Sequence, residues 1–223
     1  MRAGEWTTDT MSFAAPFDFA LTLDDHLEVG CVVGDSNVVE LIWSGPENLI
    51  AHASSVWVGS ELVLNHEDRC QWARDLSHVV AVQISAPKFA QVELNGQGTF
   101  SLVHLKAADH VTVNAQDYAG TIDLLLAVDT ATVKLQNGAA QAYVAGSVHE
   151  LQGFSSGLSS LDASACVADY AYIRQSGVSN LRFSATDYAY VAIDAPGNVL
   201  GGHEPPVDWE MDQTGSGQLL WEH

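Results

Sequence analysis

The chain has 223 residues, with 28 Asp and Glu against 8 Lys and Arg, and a formal net charge of −20 at pH 7. So few bases argue against nucleic acid, whose phosphates require clustered Lys and Arg, and against attraction to an anionic membrane surface. The apolar fraction of 47% is too high for a disordered acidic tail, and a chain of this length buries roughly 70% of its surface on folding.

No apolar run reaches the roughly 18 residues of a transmembrane helix. The first segment, Met1–Phe13, lacks the apolar core of a secretory signal, so no leader is visible. Phe17, Phe19, Leu21 and Leu23 then alternate with polar or small residues, as do Leu27, Val29, Cys31 and Val33 before the Gly34-Asp35 turn. Val56-Val58 and Leu62-Leu64 flank Gly59-Ser60, which reads as a hairpin. Period-two alternation with Gly, Asn and Asp punctuation is a strand-and-turn signature. Two short segments read as helical, Pro46–Ser54 and Glu67–Leu76. The three cysteines, Cys31, Cys70 and Cys166, make neither a disulfide framework nor a zinc pattern and read as buried small hydrophobes.

From about residue 88 a long-range repeat takes over. Gly98, Asp117, Gly138, Gly157, Gly177, Gly197 and Gly217 recur at 19 to 21 residues. A second column, Asp109, Asp129, His149, Asp169 and Asp187, recurs at 18 to 20. Short apolar pairs fall between these columns: Val111/Val113, Ala131/Val133, Ala171/Ile173 and Val191/Ile193 before the turn, and Phe100/Leu102, Ile122/Leu124, Leu158/Leu161, Val178/Leu181 and Leu219/Trp221 after it. A period near 20 leaves no room for a helix, and a unit this small buries a face only by stacking on its neighbours. The pattern predicts an all-β fold, a right-handed parallel β-helix of about 20 residues per coil. Residues 1–87 form a β-rich segment packed onto and continuous with the solenoid, and residues 88–223 form its repeats. Pro205-Pro206 cannot join a ladder, so Gly201–Pro206 should bulge out between the last two coils.

These repeats resemble the GSG-centred turns of the bacterial family known as the putative auto-transporter adhesin head, or GIN, domain. The matching residues are Leu94-Asn95-Gly96-Gln97-Gly98, Gln175-Ser176-Gly177 and Thr214-Gly215-Ser216-Gly217, and further upstream Val38–Ile42, Glu47–Ile50 and Gly59–Leu64. Asp117 and Ala115 stand where the pattern has turn glycines, and Pro196-Gly197 interrupts a coil. The resemblance implies an exported β-helical protein of the cell surface or envelope, with an adhesive or structural role and no established catalytic residues.

Four constellations could carry chemistry. Gly153-Phe154-Ser155-Ser156-Gly157 fits G-x-S-x-G, but no helix pattern follows, so it reads as a repeat corner and not a nucleophile elbow. Asp109, Asp129, Asp169 and Asp187 would stack, and stacked carboxylates must be solvated, share protons or bind a cation such as calcium; as turn caps they need no metal. The nine histidines show no metal-site spacing and read as solvated surface residues. Asp169–Ile173 and Asp187–Val191 are near-copies 18 residues apart. With their Ala, Ile and Val inward, alternation turns Tyr170, Tyr172, Tyr188 and Tyr190 outward as a plate suited to a sugar face or another protein chain. Cross-strand aromatic pairs also stabilise a sheet by themselves.

The sequence therefore favours a non-enzymatic module that binds a protein or glycan at a bacterial surface. One alternative is a pectin lyase-like polysaccharide-active enzyme, an analogy from fold alone. The other is a structural, oligomerising domain whose open end needs a cap or partner, with Trp221 as a candidate for that contact.

Overall fold

The computed structural model describes residues 4–16, 19–24, 26–66 and 79–222. The expected helix at Glu67–Leu76, and Cys70 within it, lie outside the described residues. The other expected helix shrinks to one turn, α1 (Glu47–Ile50). The alternating residues that follow it are drawn into a strand, where the ladder satisfies their backbone groups.

The N-terminal strands are β1 (Trp6–Ala14), β2 (Ala20–Asp24), β3 (Leu27–Val33), β4 (Val38–Pro46), β5 (Ala53–Val58), β6 (Glu61–His66) and β7 (Ala81–Ala86). Next come β8 (Gln91–Leu94), β9 (Gln97–His104) and β10 (His110–Gln116). Four long, bent strands then follow: β11 (Ala119–Gln136), β12 (Gln141–Gly157), β13 (Ser160–Gly177) and β14 (Leu181–Ile193). The last full coil holds β15 (Val199–Gly201) and β16 (Asp208–Gln213), and β17 (Leu219–Trp221) stacks on β15 to begin the next.

These strands build two parallel ladders. The first stacks β6, β2, β8, β10, the C-terminal halves of β11 to β14, and β16. The second stacks β7, β3, β9, the N-terminal halves of β11 to β14, β15 and β17. The chain is a β-solenoid, as the repeat predicts. Val111, Val113, Ala131, Val133, Ala171, Ile173, Val191 and Ile193 are all buried in one core with Phe100, Ile122, Leu161 and Leu181. Leu158 and Val178, read as inward partners, are instead exposed corner residues, 67% and 57% accessible. They follow the corner directly, before the next strand regains its alternation.

Stacking order departs from chain order near the N-terminus. Strands β2 and β3 lie between β6/β7 and β8/β9. Strand β4 runs antiparallel to both β7 and β1, and β5 antiparallel to β6 across the Gly59-Ser60 hairpin. These antiparallel additions cover the edge that a parallel stack would otherwise expose.

The corner after the first ladder is a left-handed column of Gly96 (φ 79°), Asp117 (52°), Asn137 (58°) and Gly157 (66°). This corrects the glycine column read from the sequence. Gly98 belongs one strand further on, paired with Gly120, and Gly138 stacks against Tyr118. Asp and Asn hold positions 117 and 137 because they tolerate the left-handed region better than other non-glycine residues. Polar side chains of one column clamp three of its corners four residues ahead, Ile193 holding the place between the second and third. Ser155 Oγ donates to Ser159 O (2.8 Å), Gln175 Nε2 to Ser179 O, and Gln213 Nε2 to Gly217 O (2.9 Å).

The proline loop does leave the ladders, but within the last full coil: it joins β15 to β16. Among the described residues β16 and β17 end the two ladders. Trp221 lies over Gly201 and meets Phe183 and Trp209 edge-on at centroid distances of 6.0 and 5.9 Å. Two tryptophans thus close the end of the core over Phe183, which is fully buried.

Candidate functional site: the tyrosine face

Tyr170 pairs with Tyr188 and Tyr172 with Tyr190 on the outward face of β13 and β14. Their inward neighbours Ala171, Ile173, Ala189 and Val191 are at most 1% exposed, which fixes the orientation of the strands. Tyr170 and Tyr172 are among the exposed aromatics, while Tyr188 and Tyr190 are half-buried. The rings pack diagonally: Tyr172 meets Tyr188 at 6.1 Å, and Tyr170 takes the imidazole of His149 edge-on at 5.1 Å. Burial, and then the carboxylate of Glu210, push the Tyr188 hydroxyl above its ordinary pKa.

Acids border this plate on both sides along the stack. Glu150 precedes Tyr170 in its column, and Asp208 and Glu210 follow Tyr188 and Tyr190. The Glu150 carboxylate accepts from Gln152 Nε2 at 2.6 Å. These three acids were missed from sequence, though stepping one repeat either side of each tyrosine locates them.

The aspartate column lies at the corner between the two ladders, and three of its four members meet a histidine. His104 Nε2 donates to Asp109 Oδ2 at 2.9 Å, and His149 Nδ1 to Asp169 Oδ2 at 2.8 Å. His110 Nδ1 stands 3.7 Å from Asp129 Oδ2. Burial lowers the His104 pKa, whereas the Asp169 hydrogen bond raises that of His149. His104 is therefore not the solvated surface residue expected: it is fully buried, with Nδ1 unpartnered. Among the described residues no three His, Cys, Asp or Glu converge as a metal site would require. Asp109, Asp129, Asp169 and Asp187 are distributed along the stack.

Beside the plate, Lys134, Phe154 and Arg174 form the next outward column. With Thr132, Gln136, Gln152 and Tyr172 they line an open groove of about 500 Å³. Arg174 Nε donates to Asp194 Oδ2 at 2.7 Å and holds that carboxyl below its usual range. On the second ladder an open groove of about 410 Å³ carries Asp123 and Asp162 on either side of Tyr143. The Asp162 carboxylate accepts from Ser164 N and Oγ, at 3.1 and 2.6 Å, and lies 3.5 Å from Arg182 Nη1. Those contacts tie the Asp162 carboxylate to its own strand and to Arg182, as a structural acceptor.

Ser155, the centre of G-x-S-x-G, is fully buried within β12 and spends its hydroxyl on Ser159 O. Cys31 and Cys166 are buried, free thiols, with burial raising the Cys166 pKa to about 11.

Solved structures of similar fold include a putative adhesin from Bacteroides fragilis NCTC 9343, with TM-score 0.79 and 15% identity over 97% of each chain. A putative lipid binding protein from Parabacteroides distasonis ATCC 8503 has TM-score 0.66 and 15% identity, again over 97% of each chain. A putative adhesin from Parabacteroides merdae ATCC 43184 has TM-score 0.61 and 14% identity, over 99% of this chain and 97% of that one. At such identities the likeness is one of fold. No functionally curated protein matches the sequence. The repeats, the solenoid they build and a match over residues 18–205 agree: the chain belongs to the bacterial family described as putative auto-transporter adhesin, head GIN domain.

Proposed function

We propose that this chain is a non-enzymatic interaction module of the bacterial cell surface or envelope, and that it engages a surface protein or glycan through the tyrosine face of β13 and β14. The observation that carries this reading is the in-register pairing of Tyr170 with Tyr188 and Tyr172 with Tyr190 on a sheet whose opposite side is fully buried. Such rings are held by the stack before any partner arrives, so little conformational entropy is lost on contact. The adhesin description of the family agrees with a binding role. Glu150 and Asp162 already accept hydrogen bonds from neighbours on their own strands, Gln152 and Ser164.

The test is adhesion of protein-coated beads to bacterial and host cell surfaces. The Tyr170→Ser/Tyr188→Ser variant should lose adhesion while its circular dichroism and melting cooperativity stay those of the parent. Undiminished adhesion by the folded variant would remove the tyrosine face as the working surface.

A further inference from the structure

The tyrosine face also has a charge pattern, and the pattern selects a partner. Read along the stack, the outward rows are Glu150-Gln152, Tyr170-Tyr172, Tyr188-Tyr190 and Asp208-Glu210. Four aromatic rings thus lie between two acidic rows. Asp169 and Asp187 flank the tyrosines along the chain. Two bases adjoin it, and each is committed to an aspartate: His149, edge-on to Tyr170, to Asp169, and Arg174 to Asp194. The whole chain carries −20, so the long-range field and the local one have the same sign.

We propose that this face binds an extended, lysine- or arginine-bearing segment of a partner protein. This rests on the reading of the tyrosine face as the working surface. Cations sit favourably over tyrosine rings, and the flanking carboxylates add complementary charge and steer encounter. An acidic glycan would meet like charge on both borders, and a neutral one would leave the borders unused. The spacing also fits a peptide. The two acidic rows stand three coils apart, about 14 Å at the usual strand separation. An extended chain advances about 3.4 Å per residue, so basic residues four apart would reach both rows. The residues between them would cross the rings.

The experiment measures binding of a fluorescent peptide with lysines four residues apart in a Gly/Ser background, by anisotropy, beside the same peptide with glutamates. The lysine peptide should bind and the glutamate peptide should not. Binding should weaken as salt rises from about 50 mM to about 500 mM. Generic attraction to an acidic protein is separated out by variants. Tyr172→Ser/Tyr188→Ser leaves net charge unchanged and should weaken binding about tenfold. Tyr172→Phe/Tyr188→Phe should retain most of it. Glu150→Gln/Glu210→Gln should weaken binding about fivefold. Glu28→Gln/Asp123→Asn, an equal charge change on the other ladder, should alter it less than about twofold. Equal losses from the two charge variants, or none from the folded Tyr→Ser variant, would overturn the proposal. If adhesion needs the tyrosines but the lysine peptide does not bind, the basic partner is wrong and the working surface stands. If neither adhesion nor peptide binding depends on the tyrosines, both readings fall.

Discussion

Nδ1 of His149 donates to Oδ2 of Asp169 at 2.8 Å, from one coil to the next across 20 residues of sequence. The two occupy neighbouring places in one corner column, so a position that would have stacked acid on acid holds an acid and its partner. That hydrogen bond raises the His149 pKa above its ordinary 6.5, while burial lowers that of His104. The two histidines therefore tilt the pH dependence of stability in opposite directions. Folding favours protonated His149, so its contribution is fully present below pH 6.5 and is lost as pH rises through the raised value. Folding favours neutral His104, so stability falls as pH drops below 6.5 towards the lowered value. NMR titration of the two imidazoles should place one on each side of 6.5. Denaturant melts should show the slope above pH 6.5 disappear in His149→Gln. Both imidazoles titrating together at 6.5 would refute this account.

The left-handed corner at Asn137, with φ 58°, sets a second expectation. A β-branched residue is strained there, so Asn137→Val should cost about 1–2 kcal/mol in urea melts. Asn137→Gly should lie within about 0.5 kcal/mol of the parent, because relief of strain and the entropy of the unfolded chain nearly offset one another. A valine tolerated as well as glycine would argue against a left-handed corner.

Trp221 and Gly201 should behave as one unit. A Cβ at Gly201 would overlap the indole, so Gly201→Ala should cost about 1–3 kcal/mol by overpacking. Trp221→Ala should cost about 2–3 kcal/mol by uncovering the end of the core. The double variant should be more stable than the sum of the two losses predicts, since the alanine methyl then occupies vacated space. Additive losses in thermal or chemical melts would contradict the cap.

The buried hydroxyl of Ser155 should be chemically silent. A serine-directed fluorophosphonate should leave it unlabelled by mass spectrometry, because it faces the core and donates to Ser159 O. Ser155→Ala should cost about 1–3 kcal/mol, the penalty for a buried carbonyl left without its donor. Labelling of Ser155 in the folded protein would reopen the nucleophile reading.

The sequence by itself determined the solenoid, its period and the inward face of each late strand. Each coil must bring Ala131, Leu151, Ala171 and Ala189 back to one lateral position, and a constraint repeated coil after coil leaves a visible period. The tyrosine register was legible for the same reason, since Tyr170-Ala171-Tyr172 and Tyr188-Ala189-Tyr190 are copies in successive coils. Corner identity was not. Corners differ in length, so Gly98 and Gly138 fall near the period without sharing a place. The insertion of β2 and β3 between β6/β7 and β8/β9 was also invisible, because short alternating strands advertise a buried face but not a partner. Only the tertiary stack decided which charges meet. The −20 of the composition says that bases are scarce. Coil-to-coil proximity is what assigns His149 to Asp169, commits Arg174 to Asp194, and sets acids on both borders of the tyrosines.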